Sequence, residues 1–270
     1  MPLARNGRHL VHYRTWGDPG APPVLLIMGL GLSCGAWDTL PERLARRMRV
    51  LAFDHRGTGS SGPARGSCSM AQFADDALAV LDAEAVPSAC VFGISMGGMV
   101  AQELALRSPR RINALALGST FASFRGSDKP SLGALLDLVL LNCGARFATA
   151  ERVGRLLVSP PFRERALSWL RGDVGQADTV WVAFAQLAAV VRHGPADRLR
   201  AVRVPTLVLS GDADRVVPVE NSHRLAALIP GARLRVLAGA GHAFPLERAD
   251  ETAALLLQHF DGATASAGCG

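Results

Sequence analysis

Short, almost continuous apolar runs alternate along the chain with longer segments in which apolar residues recur three and four positions apart. Almost continuous apolar runs of this length are typical of strands that are covered on both faces. The runs are Val24–Met28, Val50–Phe53, Ala89–Ile94, Ile112–Leu117, Thr206–Ser210 and Leu234–Leu237, preceded by an alternating pattern over His9–Thr15. The pattern predicts an α/β fold in which a mostly parallel, twisted sheet is flanked by helices, with His9–Thr15 as an antiparallel edge strand.

Helical spacing fills the gaps between these runs, so that each predicted strand has a helix to cover it. The predicted helices are Ala36–Arg47, Ser69–Ala85, Met96–Arg107, Val219–Leu228 and Leu246–Phe260.

The pattern changes over residues 120–202, where no strand-like run occurs and the apolar spacing is almost wholly helical. The helices predicted there are Leu132–Leu141, Arg146–Val158, Pro161–Arg171 and Asp178–Val191. We therefore expect a core of residues 1–119 and 203–262, interrupted by a helical lid at 120–202. Small residues dominate 263–270, which predicts a flexible tail.

The chain has 270 residues and a formal net charge of +6, so nucleic-acid binding has to be considered. The basic residues are arginines apart from Lys129, they are scattered through the chain without a long basic run, and a single tyrosine is present. A solvated basic surface explains this charge better than a nucleic-acid interface.

The five cysteines are odd in number and widely spaced, without a C-x-x-C pair or a Cys/His cluster of zinc spacing. They predict free thiols in a reducing compartment and no metal site. The beginning of the chain lacks an apolar signal segment, and no apolar stretch is long enough for a membrane span. We expect a cytoplasmic protein, monomeric or homodimeric, that does not associate with membranes.

One serine lies in a short motif that is typical of a nucleophilic side chain. Gly93-Ile94-Ser95-Met96-Gly97 satisfies G-x-S-x-G between a predicted strand and a predicted helix. A nucleophile on so tight a turn needs small neighbours two positions away on either side. The turn would project the Ser95 hydroxyl above the sheet and direct the Met96 amide toward a developing oxyanion.

A serine nucleophile requires a base, and the base requires a carboxylate to orient it. His242 lies in a glycine-rich loop after the last predicted strand, whereas the other histidines occupy strands, helices or a turn. Asp212 and Asp214 both follow the strand Thr206–Ser210. Asp214 is the preferred acid because Asp212, directly after Gly211, is placed to hydrogen-bond the turn backbone.

The second oxyanion donor should come from the loop Met28-Gly29-Leu30-Gly31, with the Leu30 amide as the natural candidate. The alternative is an ordinary flexible connection between strand and helix. Another glycine-rich turn, Asp54–Ser61, lacks the nucleotide-binding patterns. There, Asp54 and Arg56 are expected to brace neighbouring loops.

Together the G-x-S-x-G elbow, the D-x-R-G-x-G-x-S turn at Asp54–Ser61, the G-D-x-D-x-x-x-P acid turn and the G-H-x-x-x-x-E histidine loop resemble the α/β-hydrolase superfamily. The resemblance extends over about His9–Phe260 and is greatest to small lidded esterases and lactonases of the 3-oxoadipate enol-lactonase and aclacinomycin methylesterase types. It implies a triad of Ser95, Asp214 and His242, an oxyanion hole of the Leu30 and Met96 amides, and no cofactor. Many relatives have His-Gly where this chain has Met28-Gly29.

The resemblance implies hydrolysis of an ester, thioester or lactone of a small molecule through an acyl-serine intermediate. The same triad also serves carbon–carbon bond hydrolysis, biosynthetic acyl transfer or cyclisation, and ligand-trapping receptors. Apolar lid residues suggest an apolar or aromatic substrate, although they would equally form the core of the lid itself. The candidate pocket residues are Phe121, Phe124, Trp169, Trp181 and Phe184.

Overall fold

The computed structural model describes residues 2–64, 68–134, 137, 150–171 and 180–267. It confirms the predicted fold class, with an eight-stranded sheet flanked by helices. The strands are β1 (Leu3–Asn6), β2 (His9–Trp16), β3 (Pro23–Ile27), β4 (Arg49–Phe53), β5 (Ala89–Ile94), β6 (Ile112–Gly118), β7 (Thr206–Gly211) and β8 (Arg233–Leu237).

The helices of the described residues alternate with these strands from β3 onward. They are α1 (Leu40–Leu44), α2 (Met70–Ala83), α3 (Met96–Arg107), α4 (Ala150–Leu157), α5 (Arg163–Arg171), α6 (Val180–Arg192), α7 (Glu220–Leu228), α8 (Phe244–Glu247) and α9 (Ala249–Ala267). Within the described ranges, none of them combines the length and the apolar character that crossing a bilayer would require.

The order of the strands explains where a site can form. The sheet runs β1-β2-β4-β3-β5-β6-β7-β8, with β1 and β2 antiparallel to their neighbours and the other pairings parallel. The chain passes from β3 outward to β4 and then returns across β3 to β5. In open α/β sheets the crevice at the carboxyl ends of such strands is the usual ligand site.

Alternate residues of the central strands supply two separate apolar cores, one on each face of the sheet. Leu25 and Ile27 of β3 face one core, whereas Val24 and Leu26 face the other. All six residues of β5 are buried, as expected for the centre of a parallel sheet, while β8 at the edge buries only Leu237.

Several helix boundaries differ from those predicted. A 3₁₀ turn at Cys34–Trp37 and the short α1 replace the helix predicted over Ala36–Arg47. The interruption falls at Asp38, whose φ of 51° is outside the helical region, and Pro41 lies in the first turn of α1. The helix predicted over Leu246–Phe260 is divided into α8 and α9 at Arg248, whose φ of −125° and ψ of 48° lie outside the helical region.

The last helix reaches into the end of the chain. Small residues over 263–270 predict a flexible tail, and α9 continues through Ala267. The residues 263–267 read Ala-Thr-Ala-Ser-Ala, and alanine is the best helix former, so the segment extends the preceding helix.

The regular elements of the described residues between β6 and β7 are helices, and no strand occurs among them. Most of the predicted helix Leu132–Leu141 and the start of Arg146–Val158 lie outside the described residues. Cys34, Cys68 and Cys90 are buried, and burial raises the pKa of the Cys90 thiol to about 12.

His193, which follows α6, is part of a buried polar network. Its Nε2 lies 3.2 Å from Oε1 of Gln102, and the Gln102 amide nitrogen donates to the Phe121 carbonyl at 3.1 Å. Burial, with a smaller contribution from the positive charge of Arg198, lowers the pKa of His193 to about 3. At pH 5 the His193 ring is therefore neutral in the folded protein, whereas in the unfolded chain the same ring is largely protonated.

We expect this difference to weaken the fold in acid. The stability that neutral His193 contributes is complete above pH 6.5 and declines as the pH falls toward 3. The His193→Gln variant should show a slope of unfolding free energy against pH that is smaller by up to about 1.4 kcal/mol per pH unit between pH 6 and pH 4. Urea unfolding of both proteins across this range measures the slopes, and identical slopes would contradict the assignment.

Candidate active site

Ser95 occupies a strained turn between β5 and α3. Its backbone has φ 54° and ψ −122°, a region that non-glycine residues rarely adopt. The turn is held from both sides, because the Ser95 amide donates to the Gly118 carbonyl at 2.9 Å and the Thr120 hydroxyl donates to the Ser95 carbonyl at 2.8 Å. Such strain persists only where the surroundings enforce it, which is a common property of active sites.

Two glycines make this turn possible. A Cβ atom on Gly93 would lie 2.2 Å from the Gly97 carbonyl oxygen, and a Cβ atom on Gly97 would lie 2.0 Å from the Ile27 carbonyl oxygen. Neither distance is compatible with a side chain. The glycines of the motif therefore permit the start of α3 to pack directly on the end of β3.

Asp214 and His242 form a buried pair at the same edge of the sheet. The His242 Nδ1 atom lies 2.8 Å from Oδ2 of Asp214, whose side chain is fully buried while that of His242 is 10% exposed. The other oxygen of Asp214 accepts hydrogen bonds from the amides of Val216 and Val217, each at 2.8 Å. Because an ionised carboxylate only accepts hydrogen bonds, Nδ1 carries the proton and Nε2 is left as an acceptor.

Asp212 has a different environment. It is exposed, and its Oδ1 accepts a hydrogen bond from the Gly239 amide at 2.6 Å. This contact joins the ends of β7 and β8 and leaves Asp212 in the backbone role that the sequence suggested.

Glu247 in α8 holds the histidine loop in place. Its Oε1 accepts hydrogen bonds from the Gly241 amide at 2.8 Å and from the Ser159 amide at 3.1 Å, and the Ser159 hydroxyl donates to Oε2. The Ala243 amide donates to the Leu157 carbonyl at 2.7 Å. The loop that carries His242 is thus tied to the end of α4, a connection that the G-H-x-x-x-x-E pattern alone did not specify.

The loop after β3 passes close to the serine. A Cβ atom on Gly29 would lie 3.3 Å from the Ser95 Cβ atom, so the backbone at this point approaches the elbow closely. The Met28 carbonyl accepts a hydrogen bond from Nε2 of His55 at 2.8 Å, and the Gly31 amide donates to Oε1 of Gln186 at 2.9 Å. Leu30 lies between these two anchored residues and is half-buried.

The turn after β4 braces this region, as the sequence predicts. Asp54 accepts hydrogen bonds from the amides of Cys34 at 2.6 Å and Ser60 at 2.9 Å, and it pairs with Nδ1 of His12 at 2.7 Å. Arg56 forms a bidentate pair with the buried Asp76, at 2.8 and 2.6 Å. His12, Cys34 and Asp54 are close enough to hold a cation, but both carboxylate oxygens already accept hydrogen bonds from N–H groups.

The structure does not gather the five candidate pocket residues into one environment. Trp169 is buried and donates from its indole nitrogen to the Ala36 carbonyl at 3.0 Å, which is a packing role. Phe121 is 9% exposed and its ring centroid lies 6.2 Å from that of Phe124. Trp181 and Phe184, one turn apart on α6, are 53% and 51% exposed and do not form a buried core.

Comparison with known proteins agrees with this architecture. A model of the α/β hydrolase fold family matches residues 22–249. The chain therefore belongs to the α/β-hydrolase fold family.

Individual relatives align over nearly the whole chain. Rhodomycin D methylesterase DauP of a Streptomyces species is 34% identical over 284 aligned positions, which cover 92% of this chain and 94% of that protein. RutD of Azorhizobium caulinodans, to which carbamate hydrolysis is ascribed, is 31% identical over 261 positions, covering 90% and 92%. The crystal structure of the enol-lactonase from Burkholderia xenovorans superimposes with a TM-score of 0.83 at 26% identity, covering 96% of this chain and all of that one.

Proposed function

We propose that the protein is a serine hydrolase that cleaves a carboxylic ester or lactone of a small molecule through an acyl-serine intermediate. The observation that carries the proposal is the strained Ser95 at the same sheet edge as the buried Asp214–His242 pair. The similarity to a methylesterase and an enol-lactonase supports it, because both of those proteins are named for cleavage of an ester bond.

In the proposed mechanism, His242 Nε2 removes the proton of Ser95 as the hydroxyl oxygen attacks the carbonyl carbon of the substrate. His242 then protonates the leaving alcohol or enol oxygen, and the acyl group remains on Ser95. Water, deprotonated by the same Nε2, attacks the acyl carbon, and His242 returns this proton to the Ser95 oxygen as the acyl–oxygen bond breaks and the acid is released. Asp214 orients the ring throughout and stabilises its charged form.

The tetrahedral oxyanion would be held by the amides of Leu30 and Met96. Met96 is the first residue of α3, so its amide has no acceptor within the helix and lies at the positive end of the helix dipole. A preorganised donor of this kind is typically worth about 3 kcal/mol of activation free energy. Many relatives have a histidine where this chain has Met28. The change of side chain leaves the backbone donors in place, and the Met28 carbonyl is held by His55.

We further propose that residues 120–202 act as a lid over this centre. Phe121 and Phe124 are the best placed pocket candidates, because they closely follow β6 and their ring centroids lie 6.2 Å apart. Trp181 and Phe184, with exposed apolar rings on α6, remain candidates for contact with an apolar or aromatic substrate group.

The Ser95→Ala variant should lose hydrolysis of p-nitrophenyl acetate and butyrate, with kcat/KM at least about a thousandfold below the wild type, because alanine has no hydroxyl to form the acyl intermediate. Steady-state kinetics measures the loss, and circular dichroism checks the fold. Ser60→Ala is the matched control, since Ser60 is exposed on a turn at the same sheet edge. An active Ser95→Ala protein would refute the proposal.

Substitution of the two acidic residues in the turn after β7 should have clearly different effects on turnover. Asp214→Asn should lower kcat by about a hundredfold to ten-thousandfold, because an amide cannot stabilise the charged ring and favours the wrong tautomer. Asp212→Asn should remain within about threefold of the wild type, since its oxygen can still accept from Gly239. Equal losses in both variants, measured with the same esters, would mean that Asp214 has no special role.

A further inference from the structure

Gln186 joins the helical segment between β6 and β7 to the loop that follows β3. It is fully buried on α6, 155 positions along the chain from its partner Gly31. Its Oε1 accepts from the Gly31 amide at 2.9 Å, and its Nε2 donates to the Thr58 hydroxyl at 3.1 Å. One side chain therefore connects three separate segments at the edge of the sheet where Ser95 lies.

The helix that carries Gln186, α6, packs closely against the turn that follows β4. A Cβ atom on Gly57 would lie 2.8 Å from both methyl groups of Val182, so α6 packs directly on the backbone of this turn. Val182 and Gln186 are four positions apart and therefore lie on the same face of α6. The packing of α6 against this turn determines which groups the Gln186 amide can reach.

The loop after β3 is held on both sides of Leu30. The Met28 carbonyl can only accept a hydrogen bond, so Nε2 of His55 must carry the proton that it donates. Burial lowers the pKa of His55, which keeps the ring neutral. The Gly31 amide, at a residue with φ 75°, is held by Gln186. These two bonds define the path of the peptide between them.

We propose that Gln186 is a positioning residue that holds the Met28–Gly31 loop so that the Leu30 amide faces the oxyanion. The inference rests on the proposed function, in which Leu30 is an oxyanion donor. It adds that α6 completes the catalytic centre as well as covering it. The active arrangement then requires α6 to remain packed against the turn after β4. Displacement of this helix would release the Gly31 amide and misorient the Leu30 amide.

Loss of the Gln186 amide should affect the transition state more than substrate binding. The Gly31 amide would lose its buried partner, and the loop would gain alternative conformations in which Leu30 points elsewhere. Because an oxyanion donor acts chiefly in the transition state, Gln186→Met should lower kcat by about tenfold to a hundredfold and leave KM nearly unchanged. A residue that merely lined the pocket would raise KM instead.

Gln102→Met is the matched control. Gln102 is also fully buried and makes two side-chain hydrogen bonds, to Phe121 and His193, without touching the loop after β3. Both variants lose an amide of equal size, so we expect similar losses of thermal stability. The kcat of Gln102→Met should stay within about twofold of the wild type.

Hydrogen–deuterium exchange of a peptide covering residues 28–33 tests the anchor without reference to turnover. Deuterium uptake there should rise in Gln186→Met and remain at the wild-type level in Gln102→Met. If the methionine variant fails to fold, Gln186→Asn, which keeps the amide but shortens the side chain by one methylene, should change uptake and kcat in the same direction.

Unchanged exchange in the Gln186 variants, or equal falls in kcat for Gln186→Met and Gln102→Met, would overturn the inference. A rise in KM with unchanged kcat would overturn the positioning role and indicate pocket lining. If Ser95→Ala retains activity, the proposed function fails by itself, and exchange at residues 28–33 still decides whether Gln186 anchors the loop.

Discussion

The contact of Gly97 with the carbonyl of Ile27 is the constraint on which the proposed centre depends. It leaves no room for a Cβ atom and brings the first turn of α3 against the end of β3. The elbow and the loop after β3 consequently meet, with Ser95 on one and Leu30 on the other. Since β3 and β5 are neighbours at the point where the strand order reverses, the crevice between their ends is where the fold can accept a ligand.

Buried carboxylates hold the remaining parts of the centre. Asp214, Glu247 and Asp54 are each less than a tenth exposed, and each accepts at least two hydrogen bonds from N–H groups of the backbone. A buried charge with these partners avoids much of the desolvation cost and fixes the loop that supplies the donors. Loops that would otherwise be mutually independent are thereby fixed relative to the sheet.

The sequence was sufficient for the fold class and for the location of the candidate residues. Strands covered on both faces have a strong local signal. Ser95 directly follows β5, and Asp214 and His242 lie in the turns after β7 and β8. The preference for Asp214 over Asp212 also came from local turn chemistry, and the structure pairs Asp214 with His242.

Features that depend on contacts between distant segments could not be predicted. Nothing local to Gln186 or Glu247 indicates that these side chains reach residues 155 and 88 positions away. The interruption of the first predicted helix at Asp38 depends on the positive φ of that residue, which apolar spacing does not reveal. Trp169 resembled a pocket residue because an aromatic on a helical pattern has the same spacing whether it packs on Ala36 or contacts a ligand.

Activation of Ser95 as a nucleophile can be measured by covalent labelling with a fluorophosphonate, followed by mass spectrometry of the intact protein and its peptides. We expect one phosphonyl group per chain, attached to Ser95, with a labelling rate that falls in Asp214→Asn but not in Asp212→Asn. Absence of labelling in the folded wild-type protein, or a label on a different residue, would contradict it.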